Sequence, residues 1–146
     1  MLILNYFTLM FNIITLIYSL IIGFMIFFIS VVTPSVFKTL DENNASKFLR
    51  FIFPRMFLYG FILSTAALIL SIWVQNAVLT FGSLLIAILF LVNAYAITPL
   101  INKYRDQYNN GQLDSDKVFK KYHLISVLIY LFQLVVLIYL VVRNIF

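Results

Sequence analysis

The chain has 146 residues, of which 64% are hydrophobic and 10% charged, and its mean hydropathy is +1.06. A soluble domain is roughly half apolar and a quarter charged, so the composition excludes that class and specifies an integral membrane protein. Spans of about 20 residues leave room for a single domain of four helices and no extramembrane catalytic domain, and the absence of cysteine removes disulfides, thiolate metal sites and Cys nucleophiles.

Residues 1–32 carry no charged side chain. A secretory signal needs a basic leader, a short apolar core and a small-residue cleavage site, none of which is present. The expectation is therefore a first span over about 6–33, long enough to tilt or to start in the interface. Thr8, Asn12, Thr15, Ser19, Gly23, Ser30 and Thr33 recur at helical spacing. They are expected on the inward face, for close packing rather than for a hydrated path, since an intramembrane path usually carries ionisable groups.

The first polar connection covers residues 34–50, where Asp41 to Asn44 offer an N-cap for the next helix. The second span covers about 51–74 and carries small residues at Gly60, Ser64, Ala67 and Ser71. Pro54 either opens the embedded part or kinks a longer helix. A short uncharged link at Gln75–Ala77 implies a tight hairpin into the third span, about 78–101, with Ser83, Ala87, Ala94 and Thr98 on one face and Asn93 at its edge. After a loop containing the turn sequence Asn109-Asn110-Gly111, the fourth span, about 121–142, aligns His123, Ser126, Tyr130 and Gln133. The expected fold is all-α, an integral membrane four-helix bundle.

Nine of the ten Lys and Arg residues lie in or beside connections 34–50 and 102–120, leaving only Arg143 elsewhere. The positive-inside rule places both loops in the cytoplasm and both termini outside, in a plasma (inner) membrane. Every acidic residue is on the same side. Such mixed-sign loops point to anionic lipid headgroups as partners, with no nucleic acid.

Thr33-Pro34 with Lys38 echoes Thr98-Pro99 with Lys103, at the ends of two helices that run the same way. Either the chain is a parallel repeat of two helical hairpins, or proline punctuates both helices independently. If the helices continue, each proline frees a carbonyl, on Ser30 and on Tyr95. These residues share a depth with Arg55, Asn93, Arg105, His123 and Ser126. The expected site is a polar cluster of His123, Asn93, Ser126, Pro54, Arg55, Arg105, Pro34 and Pro99 at the cytoplasmic end, with His123 hydrogen-bonding Asn93, Ser126 or a freed carbonyl. Arg55 and Arg105 are also placed to snorkel to phosphates.

Four stretches, Val32–Leu40, Phe51–Phe57, Asn93–Pro99 and Phe119–Ser126, resemble the transmembrane protein 205-like family, a membrane domain of unknown function. The resemblance implies a four-helix membrane bundle. It carries over the family pattern at Pro34, Phe53, Pro54, Asn93, Pro99, Arg105, Phe119, His123 and Ser126. The chain departs from that pattern beyond Ser126, where Ile129 or Tyr130 stands in place of a frequent Asn.

His123 is the only histidine, so a bis-His haem site or a His-rich metal cluster is excluded. It is read as structural, with proton or ligand contact and metal or haem binding as alternatives. No span contains a carboxylate, and no catalytic triad or phosphate loop is suggested. The functional expectation is a non-enzymatic accessory or small-solute-handling bundle, without cofactor or metal, acting alone, as a homo-oligomer or with a membrane protein partner. The alternative is a haem-linked membrane oxidoreductase of the protoporphyrinogen oxidase or copper-resistance type.

Overall fold

A computed structural model describes residues 2–145, with side chains from residue 6 to residue 145. The protein is an all-α four-helix membrane bundle. Helix α1 joins Leu2–Phe27, a π-turn at Phe28–Val32 and Thr33–Thr39 without a break. Helix α2 is Glu42–Trp73. Helix α3 joins Ala77–Leu91, a π-turn at Val92–Ile97 and Thr98–Asn109, and α4 is Ser115–Ile145. All four are long and apolar enough to cross a membrane.

The helices outrun the expected spans at their charged ends, so the two polar connections shrink to Leu40–Asp41 and residues 110–114. Residues 102–109 are helical because amphipathic turns there pack sideways: Tyr104 of α3 stacks on Tyr122 of α4 at 5.6 Å and 9°. Asp41 caps α2, its carboxylate accepting from the Asn44 amide at 3.0 Å and from Asn44 Nδ2 at 2.6 Å. These bonds hold the carboxyl below its usual range. At the opposite end, Asn76 caps α3 by accepting from the Leu79 amide at 3.1 Å. Gln75, at φ 53°, turns the chain between α2 and α3.

The helices form a ring, α1 against α2 and α4, α3 against α2 and α4. The tightest seam joins α2 to α3, where Gly60, Ser64, Ala67 and Ser71 are all buried, as are Ser83 and Ala87 opposite. Lipid supplies no hydrophobic drive between helices, so close approach of small residues is what holds such a seam. Polar staples cross the bundle. Tyr18 Oη and Ser83 Oγ are 2.6 Å apart, Tyr130 Oη donates to Met25 O at 3.0 Å, and Gln133 Nε2 donates to Ile86 O at 3.3 Å.

One expected face is corrected. The inward side of α1 is Ile14, Tyr18, Ile21 and Met25, each 0% exposed, whereas Asn12, Ser19, Gly23 and Ser30 lie outside. The hydroxyls need no inward partner because each closes on its own helix. Thr15, Ser19 and Ser30 donate to the carbonyls of Phe11, Thr15 and Ile26 at 3.0, 2.9 and 2.7 Å.

The prolines are placed by the same accounting. Pro54 sits inside the uninterrupted α2. Pro34 and Pro99 each follow a π-turn, in which the Thr33 amide donates to Phe28 O and the Thr98 amide to Asn93 O. A proline ring clashes with the carbonyl four residues back, and widening the preceding turn by one residue relieves that contact. The echoed Thr-Pro steps therefore share a backbone conformation as well as residues.

Candidate functional site

At the charged end the ring does not close. A cavity of about 500 Å³ is lined from all four helices: Phe28, Thr33 and Phe37 on α1, Leu49, Arg50, Phe53 and Phe57 on α2, Thr98, Asn102 and Arg105 on α3, and Phe119, His123, Ser126, Val127 and Tyr130 on α4. Aromatic residues form much of its wall. Phe28 and Phe53 rings are 5.2 Å apart, Phe53 and Phe57 stack at 6.0 Å, and Phe57 meets Tyr130 edge-on at 6.4 Å. No carboxylate lines it.

A second, polar crevice of about 530 Å³ lies between the charged ends of α2 and α3, lined by Glu42, Lys47, Arg50, Arg105, Asp106 and neighbouring polar residues. Arg50 forks onto Asp106, with Nη1 3.1 Å from Oδ2 and Nη2 on Oδ1. Such bidentate pairing is the strong form of the guanidinium–carboxylate bond. Arg105 stands 3.7 Å from Glu42 and lies 5.7 Å from the Phe119 ring.

The structure brings His123, Ser126 and Arg105 together on the cavity wall. The His123 ring lies over Phe119 at 6.0 Å and 15°. Pro54 is half-buried and off the cavity, although its neighbour Phe53 lines it. Arg55 points outward, its guanidinium 3.4 Å from the Phe51 ring centroid and donating to Phe51 O at 2.8 Å. Pro34 and Pro99 are exposed, and it is Thr33 and Thr98 beside them that reach the cavity.

Asn93 stands apart. It is 0% exposed, its side-chain amide has no hydrogen-bond partner, and it does not line the cavity. Its carbonyl accepts instead, from the Thr98 amide and from Thr98 Oγ1 at 2.7 Å. The expected His123–Asn93 hydrogen bond is therefore not formed, and depth explains why. Asn93 is a turn from Phe90, whose ring meets Phe57 at 6.4 Å, whereas His123 is two turns nearer the charged end than Tyr130, which meets the same Phe57.

Sequence reasoning missed Arg50, Asp106, Phe57 and Tyr130 as cavity or crevice residues. Tyr130 and the charges were visible in the pattern, but a pair 56 residues apart leaves no local trace. Among the described residues no group of three His, Asp or Glu side chains could hold a metal ion. Chemically, the arrangement offers hydrocarbon contact, hydroxyls, one imidazole and two guanidinium groups.

No curated protein and no solved structure matches the chain. The family model for a domain of unknown function, DUF4149, matches residues 16–110, which takes in most of α1 and the whole of α2 and α3. With some two thirds of its length under that model, the chain belongs to the DUF4149 family, a domain of unknown function.

Proposed function

We propose that this membrane protein is a non-enzymatic bundle that handles a small, largely apolar ligand at its charged end. The observation that carries the reading is the cavity of about 500 Å³ to which all four helices contribute. Its size falls within the range of about 300–1,000 Å³ typical of small-molecule sites, and an apolar lining with a few convergent polar groups is their usual composition. Four stretches support a finer placement among transmembrane protein 205-like proteins.

In this reading the charged end faces the cytoplasm and both termini lie outside, in a plasma (inner) membrane. The grouping of nine cations around two connections supports that orientation. Arg55, exposed beside Phe51, and the lysines of the connections meet anionic headgroups there. Cysteines introduced at Asn110 and Asn76 into this Cys-free chain test the orientation. An impermeant thiol reagent applied outside cells is expected to label Asn76→Cys alone, and labelling of Asn110→Cys from outside would overturn it.

Mass spectrometry of small molecules retained through purification tests the ligand itself. A defined apolar compound is expected in the wild type and depleted in the cavity-filled variant Val127→Trp. Equal retention by both would overturn the reading. An absorption spectrum of the same preparation with a Soret band would instead favour the haem-linked oxidoreductase.

A further inference from the structure

The crevice and the cavity adjoin. Ser46, Arg50 and Arg105 line both, so one hydroxyl and two guanidinium groups form the boundary between a polar space and an apolar one. On the polar side Lys47, Arg50 and Arg105 face Glu42 and Asp106, three cations against two carboxylates. On the apolar side the wall is largely hydrocarbon and free of acids. Excess positive charge at the mouth of a hydrocarbon-lined space is the chemistry that seats an anionic head with an apolar tail.

Of the two arginines, Arg105 is the one with donors to spare. Arg50 uses Nη1 and Nη2 on Asp106, while its Nε is buried without a partner. Arg105 stands 3.7 Å from Glu42, whose side chain is 93% exposed, and 5.7 Å from the Phe119 ring, contacts too loose to satisfy a guanidinium fork. Arg105 thus keeps free N–H donors at the boundary of the two spaces, and an arriving oxyanion supplies the acceptor they lack.

Resting on the reading of the cavity as a ligand site, we infer that it takes a single-chain anionic amphiphile. The carboxylate or phosphate head sits on Arg105, beside the Asp106-paired Arg50, and the chain lies among Phe53, Phe57 and Phe119. The volume, that of a single small-molecule ligand, suits one chain rather than a two-chain lipid. His123 and Ser126 line the same space and meet the first part of the chain.

Photo-crosslinking tests this on the full chain in phosphatidylcholine nanodiscs. Three probes carry the same diazirine-tagged sixteen-carbon chain: the carboxylic acid, the lysophosphatidic acid and the neutral alcohol. The acid probes are expected to label peptides around Phe53 and Phe119, with the alcohol about tenfold weaker and Arg105→Gln lowering acid labelling about tenfold, as loss of one charge-assisted contact predicts. Labelling by one acid alone identifies the head as carboxylate or phosphate and supports the inference. Val127→Trp is expected to lower all three. If the alcohol labels as strongly as the acids and Arg105→Gln changes nothing, the head-group assignment is overturned while the ligand cavity stands. If no probe reaches the cavity peptides although all label lipid-facing ones such as that around Phe81, both fall.

Discussion

Gly60 of α2 lies directly against the end of the Phe90 ring of α3: a Cβ added at Gly60 would sit 2.5 Å from Phe90 Cζ. Phe90 is 0% exposed and also touches Phe57 and Phe24, so it cannot swing aside without disturbing the aromatic core. Gly60→Ala is therefore expected to destabilise the bundle by about 1–3 kcal/mol, the usual cost of overpacking. Gly23, with nothing within 4 Å of an added Cβ, is the matched control, and Gly23→Ala is expected to stay within about 0.5 kcal/mol or to stabilise. Reversible unfolding in mixed detergent micelles compares the two.

Tyr18 joins α1 to α3 across the middle of the ring, through Ser83 Oγ at 2.6 Å. Removing the hydroxyl with Tyr18→Phe keeps the packing and is expected to cost about 0.6 kcal/mol, with about 1.7 as the upper bound known for such bonds in membranes. A double-mutant cycle with Ser83→Ala, read by the same unfolding assay, isolates the bond. Strict additivity would mean that the contact contributes nothing.

Arg50 and Asp106 tie the charged end of α2 to that of α3, with side chains 31% and 54% exposed. Solvent screening keeps such a pair to about 0–1 kcal/mol, so Asp106→Asn is expected to lower stability only slightly. The local effect is larger, because Asp106 holds the guanidinium in its position on the crevice wall. Hydrogen exchange is expected to rise across residues 102–109 and 46–50 in Asp106→Asn, and the exchanged pair Arg50→Asp with Asp106→Arg to restore protection.

Asp41 gives the start of α2 a pH dependence. Its hydrogen bonds to Asn44 hold the folded carboxyl below the unfolded value of about 3.9. The cap is then fully present above that unfolded value and is lost as pH falls through the lower folded one. Amide exchange at Asn43, Asn44 and Ala45, measured between neutral pH and pH 3 and corrected for intrinsic rates, is expected to show fraying only at the acid end. Asp41→Asn, which retains a capping oxygen, is expected to flatten the profile.

The number of spans, the hairpin at Gln75–Asn76 and the small-residue seams of α2 and α3 were legible from the chain alone. Long apolar runs, caps and helical spacing are local properties, and in a bilayer every backbone polar group must be satisfied within its own helix. Burial of the α1 face was not legible. Hydroxyls that bond to their own helix can face lipid as easily as protein, so Ser19 and Ser30 gave no direction, and Tyr18 and Met25 went inward because they fit their neighbours. The site divides in the same way. His123, Ser126 and Arg105 could be placed at one end by depth, but depth along each helix is only one coordinate. Whether Asn93 reaches His123, or Arg50 pairs with Asp106, depends on helix rotation and on the extra residue that each π-turn inserts. Only the packed bundle decides these.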